Sequence, residues 1–153
     1  NGQADEVVGV YSNDVLGMPV VQQPDGESTY INNEEDTITQ FTAAASFGST
    51  GLLAHNTKAG IHFFELEIGQ EVDIIYGDGT IKKYRIDQIR SFQALDPHNT
   101  YSDFVDLESG ALLSSNMLFL DIYGGEHHVT FQTCIEQDGI SSWGRIFIMA
   151  SPL

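Results

Sequence analysis

The sequence predicts a mostly β domain, a closed or nearly closed barrel with one or two short helices in its connections. Three observations predict it. Short apolar runs rich in β-branched and aromatic residues alternate with turn residues from about position 52 onward. An Asp78-Gly79 pair sits between two such runs, the sequence signal of a tight hairpin. No stretch sustains the 3.6-residue apolar period of a long helix.

Taken in order, residues 1–36 are polar and turn-rich and read as a segment that wraps a core built later. Residues 37–46 hold one or two helical turns. Leu52-Leu53-Ala54 opens the strand-rich part, followed by Glu71-Val72-Asp73-Ile74-Ile75-Tyr76, the Gly77-Asp78-Gly79-Thr80 turn and a long strand over 81–92. Residues 103–107 hold a further short helical turn. Two strands close the chain. Over 126–134, Val129, Phe131 and Thr133 alternate against His128, Thr130 and Gln132; 143–150 is nearly all apolar, as a central strand is. All 153 residues fit one domain, and the 41% hydrophobic and 10% aromatic content supplies its core.

The chain carries 22 acidic residues against 6 Lys plus Arg, a net charge of −16, and a pI near 4.2. Nucleic acid is excluded as a partner, because binding phosphates needs clustered cations. Lys82, Lys83, Arg85 and Arg90 share one segment, Lys58 stands nearer the start, and Arg145 is alone. No apolar run approaches the roughly 20 residues of a membrane-spanning helix. The first six residues have neither a basic nor an apolar stretch; if the protein is secreted or anchored, the signal or tether lies outside these residues.

Cys134 is the only cysteine and forms no intramolecular disulfide; a packed thiol, a metal ligand, an intermolecular partner and a nucleophile remain open. A lone cysteine is by default an inert buried thiol. Two side chains of catalytic type also stand at or just beyond strands: His55, 79 residues before Cys134, and Arg145, 11 residues after it. With Cys134 ending one strand and Arg145 beginning the next across a loop at 135–142, adjacent antiparallel strands bring thiol and guanidinium together. A thiol attacks as thiolate, which a neighbouring His or Arg stabilises. A guanidinium aimed at a developing oxyanion is worth on the order of 3 to 4 kcal/mol. A histidine can protonate one amine and deprotonate another.

These residues carry a resemblance to a known family. Leu53-Ala54-His55-Asn56, Thr130-Phe131-Gln132-Thr133-Cys134 and Trp143-Gly144-Arg145 resemble the His-containing loop, the TLxTC strand end and the following Arg strand of the sortases, with Phe131 where the family has Leu. The resemblance runs from about residue 50 to Pro152 and places the family's opening strand near Met18-Pro19-Val20-Val21. It implies a sortase-type barrel of about eight strands. It further implies a cysteine transpeptidase with Cys134 as nucleophile, His55 as acid/base, Arg145 as cationic stabiliser and Thr133 at the substrate. The implied partners are a protein with a C-terminal LPxTG-like sorting motif, cleaved between Thr and Gly, and a cell-wall or pilin amine. The implied location is the outer face of a bacterial cell membrane.

Other readings compete. The caspase Gln-Ala-Cys signature needs Gly two residues after the cysteine, where Glu136 stands, and papain-like enzymes place cysteine before histidine. Chymotrypsin-like cysteine proteases have the right order but a larger double barrel. A thiol protease releasing its acyl group to water and a catalytically silent acidic binding domain of the same fold remain alternatives. His127 and His128, as strand neighbours, point to opposite faces and do not both ligate one ion; no metal site is assigned. His62 and His98 lie in loop-like segments. No cofactor is required. Glu65, Glu67, Asp96, Asp103, Asp106 and Glu108 lie near loops, but without EF-hand spacing they read as a solvated acidic surface rather than a Ca²⁺ site.

Overall fold

The computed structural model describes residues 2–13 and 15–153. Ten strands among them form one sheet: β1 (Val7–Ser12), β2 (Leu16–Gln22), β3 (Ile38–Phe41), β4 (Thr50–Leu53), β5 (Glu71–Tyr76), β6 (Ile81–Ala94), β7 (Phe104–Asp106), β8 (Leu112–Leu113), β9 (Val129–Gln137) and β10 (Ile140–Pro152). Eight of them, in the order β10-β9-β4-β3-β2-β1-β5-β6, close into a barrel through the pairing of β6 with β10. β7 and β8 extend the sheet from the far end of β6. The expected closed barrel is the observed one. Most neighbours are antiparallel; β2–β3 and β4–β9 are parallel.

Alternation along each strand sorts the apolar residues into two cores. One fills the barrel: Val129 and Phe131 of β9, Ile148 and Ala150 of β10, Leu52 of β4, Ile74 of β5 and Tyr84 and Ile86 of β6 are all but inaccessible, and Phe63 meets Phe131 edge to face at 5.3 Å. The other lies on the outer face. There Phe147 and Met149 of β10, Phe92 and Ala94 of β6 and Phe104 of β7 pack with Leu118, Ile122 and Tyr123 of α1 (Ser115–Tyr123). Each fully buried side chain of this size contributes about 1.5–3 kcal/mol. The cleft lined by Cys134 and Arg145 opens in this outer layer.

Several local expectations change. Residues 103–107 are not helical: Phe104 and Asp106 are buried while Val105 between them is not, the period of a strand, and β7 pairs with β6. In 37–46 the first part is β3, and only Thr42–Phe47 winds into a 3₁₀ helix, stopped by Gly48 at φ 79°. A second 3₁₀ helix, Ala59–Glu65, and α1 complete three short helices. The Ser114 hydroxyl caps α1 by accepting from the Met117 amide. Residues 7–12 and 16–22, within the segment expected to wrap the core, supply two adjacent staves, β1 and β2. Cys134 does not end its strand: β9 runs on to Gln137, and the connection is a tight turn at Asp138-Gly139, not a loop at 135–142. Both turn residues have positive φ, 54° and 79°, the conformation that an Asp-Gly pair accepts most readily in a hairpin.

Candidate active site

His55 stands just beyond β4, and the structure ties its turn to β9 one residue before the cysteine. The Ala54 amide donates to the Gln132 carbonyl at 3.3 Å, and the buried Thr133 hydroxyl donates to the Ala54 carbonyl at 2.7 Å. The turn closes on itself as the His55 carbonyl accepts from the amides of Lys58 (3.0 Å) and Gly60 (2.9 Å). Gly60 is required by close approach: a Cβ there would collide with the Thr133 hydroxyl and the His55 carbonyl. Asn56 Nδ2 donates to the Ser141 carbonyl at 3.0 Å and so links the turn to the start of β10. Asn56 belongs to the histidine motif, but no signal in the sequence assigned it this contact or pointed to Gly60.

Arg145 is the register partner of Cys134 across β9 and β10, on the same outer face. Its Nη1 donates to the carbonyls of Ser142 (2.8 Å) and Gly144 (3.0 Å), and the guanidinium lies 5.8 Å from the centre of the Phe104 ring. This arrangement fixes the cation, and among the described residues no acidic side chain pairs with it. Burial pushes the Cys134 thiol above its ordinary range, and the Arg145 charge pulls it partly back.

His55, Thr133, Cys134 and Arg145 line one cleft of about 500 Å³. At its other end stand Phe41, Phe119, Tyr123 and Phe147, with the Tyr123 hydroxyl donating to Gln132 Oε1 at 2.6 Å. The cleft lining thus combines the thiol, imidazole and guanidinium with a group of aromatic side chains. The Thr133 side chain, expected at the substrate, points into the barrel wall and holds the histidine turn.

The other histidines lie elsewhere. His127 is exposed and bonds the Tyr84 hydroxyl and the Gly48 carbonyl, both at 2.9 Å. His128 is buried against the carbonyls of Ile122 and Glu126. His62 pairs with Glu65 on the surface. Among the described residues no group of three or more His, Cys, Asp or Glu is arranged to hold a metal ion. Asp106 accepts from the amides of Glu108 and Ser109 and pairs with Arg90, which also reaches Asp121.

No protein-family model matches the chain, and no curated protein does. Solved structures do. A lid mutant of Streptococcus agalactiae sortase C1 superposes with a TM-score of 0.60 at 19% identity, covering 99% of this chain and 71% of that one. A Clostridium perfringens sortase D5 transpeptidase gives 0.61 at 14%, covering 97% and 79%. Listeria monocytogenes sortase A gives 0.58 at 11%, covering 97% and 88%. The chain has the fold of the sortases, over nearly its whole length.

Proposed function

We propose that the chain is a sortase-type cysteine transpeptidase. The observation that carries the reading is the direct cross-strand pairing of Cys134 with Arg145 in the cleft that His55 also lines. The Cys134 sulfur attacks the carbonyl carbon of the scissile peptide, its proton passing to His55. The oxyanion falls to Nη2 or Nε of Arg145, because Nη1 is committed to two backbone carbonyls. As the C–N bond breaks, His55 protonates the leaving amine and a thioester to Cys134 remains. An incoming amine gives its proton to His55 and attacks the thioester, and the sulfur that is released takes that proton back from His55, which restores the enzyme. Thr133 positions His55 through the Ala54 carbonyl.

The donor substrate is a protein with a C-terminal LPxTG-like motif cut between Thr and Gly. The acceptor is a cell-wall or pilin amine, and the enzyme works on the outer face of a bacterial membrane. The TFQTC strand end and the sortase fold support this reading.

The test uses a sorting-motif peptide with and without triglycine. Mass spectrometry should find the peptide joined to triglycine, and modification of Cys134 by a methanethiosulfonate should abolish the product. Release to water alone, with triglycine present, makes the protein a thiol protease. An unreactive thiol in the native protein leaves only a binding domain.

A further inference from the structure

Gln23 follows β2, and its side chain is only 4% exposed. All four hydrogen-bonding positions of its amide are taken. Nε2 donates to the carbonyls of Ser28 (3.1 Å) and Tyr30 (3.0 Å). Oε1 accepts from the backbone amide (3.0 Å) and the hydroxyl (3.2 Å) of Thr42. One buried amide therefore joins the crossover between β2 and β3 to the start of the first 3₁₀ helix. The part it grips borders the cleft: Ser28, Thr29 and Ile31 line the same cavity as Cys134, and Ile31 packs on the outer core.

The rest of the crossover pulls the other way. It carries Asp25, Glu27, Glu34, Glu35 and Asp36 in a chain of net charge −16, so self-repulsion favours an extended, solvated loop. We infer that Gln23 is a positioning residue for substrate: it clamps the crossover so that residues 28–31 stand as one wall of the cleft, and so sets affinity for the acyl-donor peptide rather than the rate of chemistry. The peptide in this inference rests on the transpeptidase reading; the clamp does not.

Gln23→Glu keeps size and an acceptor oxygen but replaces the nitrogen that carries both donors with one oxygen that faces two carbonyls. Loss of two hydrogen bonds should speed amide exchange at Tyr30 and Asn32 about tenfold and raise KM for the peptide about tenfold, with kcat nearly unchanged. Lowering the pH to protonate the introduced carboxyl should restore part of the affinity, which a general loss of structure would not do. Unchanged exchange, or faster exchange with unchanged KM, overturns the inference. Should this variant fail to fold, Ile31→Ala leaves the clamp and trims the wall: KM should rise without acid rescue, and an unchanged KM overturns the inference. If the wild-type protein turns over no peptide, the transpeptidase reading fails on its own. Labelling of Cys134 then decides the clamp: the preference for benzyl over methyl methanethiosulfonate should fall in Gln23→Glu, and an equal preference overturns it.

Discussion

Burial raises the Cys134 thiol above its ordinary value, and Arg145 opposes that rise, so ionising this thiol takes a higher pH than ionising an ordinary cysteine. Labelling by methyl methanethiosulfonate should therefore climb with pH through a midpoint above that of an ordinary cysteine. Arg145→Gln should push the midpoint higher still, and an unmoved midpoint would remove the guanidinium from the thiol's surroundings. The same shift fixes the sign of a stability effect. A thiol raised in the folded state contributes stability that is present below the unfolded chain's value and is lost as pH rises through the folded one, so Cys134→Ala should flatten the alkaline loss. Thr133 acts through a different bond. Thr133→Val removes the one side-chain link to the Ala54 carbonyl among the described residues and leaves that buried acceptor without it. A stability loss of about 1–3 kcal/mol is expected in denaturant titration, together with a fall in kcat as the histidine turn loosens.

At the scale of elements, the site depends on a hairpin and a helix. The β9–β10 hairpin sets Cys134 against Arg145 because its tight turn fixes the register, and a bulge between Ile140 and Gly144 absorbs the mismatch near the turn. Gly144 leaves no room for a side chain, since a Cβ would meet the Phe92 carbonyl on β6 at 2.6 Å. α1 roofs the aromatic end of the cleft through Leu118, Phe119, Ile122 and Tyr123. Ser114→Ala removes its cap and should cost about 1 kcal/mol in a melting experiment. Methyl methanethiosulfonate should still reach Cys134 at the wild-type rate, because the cap lies on the helix and not on β9; a large change in that rate would mean that α1 governs access to the thiol.

At the scale of the molecule, closure and charge dominate. Pairing of β6 with β10 leaves the barrel without an open edge, and β7 and β8 cover only the far end of β6. A net charge of −16 strains this compact body by self-repulsion, which salt screens. Raising NaCl from about 0.01 to about 0.15 M, where the Debye length falls from about 30 to about 8 Å, should raise Tm; a flat or falling Tm would show that the acidic groups are offset locally. The same field draws cationic acceptors, so the association of an amine-bearing acceptor should slow over that range.

The sequence by itself determined the fold class, because alternation and the Asp78-Gly79 turn are local, and it singled out Cys134, His55 and Arg145 by residue type, order and motif. β9 ends at Gln137, beyond the expected Cys134, and its end is marked locally by Asp138-Gly139, which carries the same signal as Asp78-Gly79. α1 escaped detection because Met117, Leu118, Phe119, Leu120 and Ile122 are apolar nearly all round, which hides the helical period; Ser114 was its legible mark. Only the tertiary structure decided that Thr133 faces the barrel and braces the histidine turn, that Gln23 grips the crossover, and that Phe41 and Phe119 share a cleft with Cys134. Those facts join residues far apart in the chain, and local pattern carries no record of which side chains closure brings together.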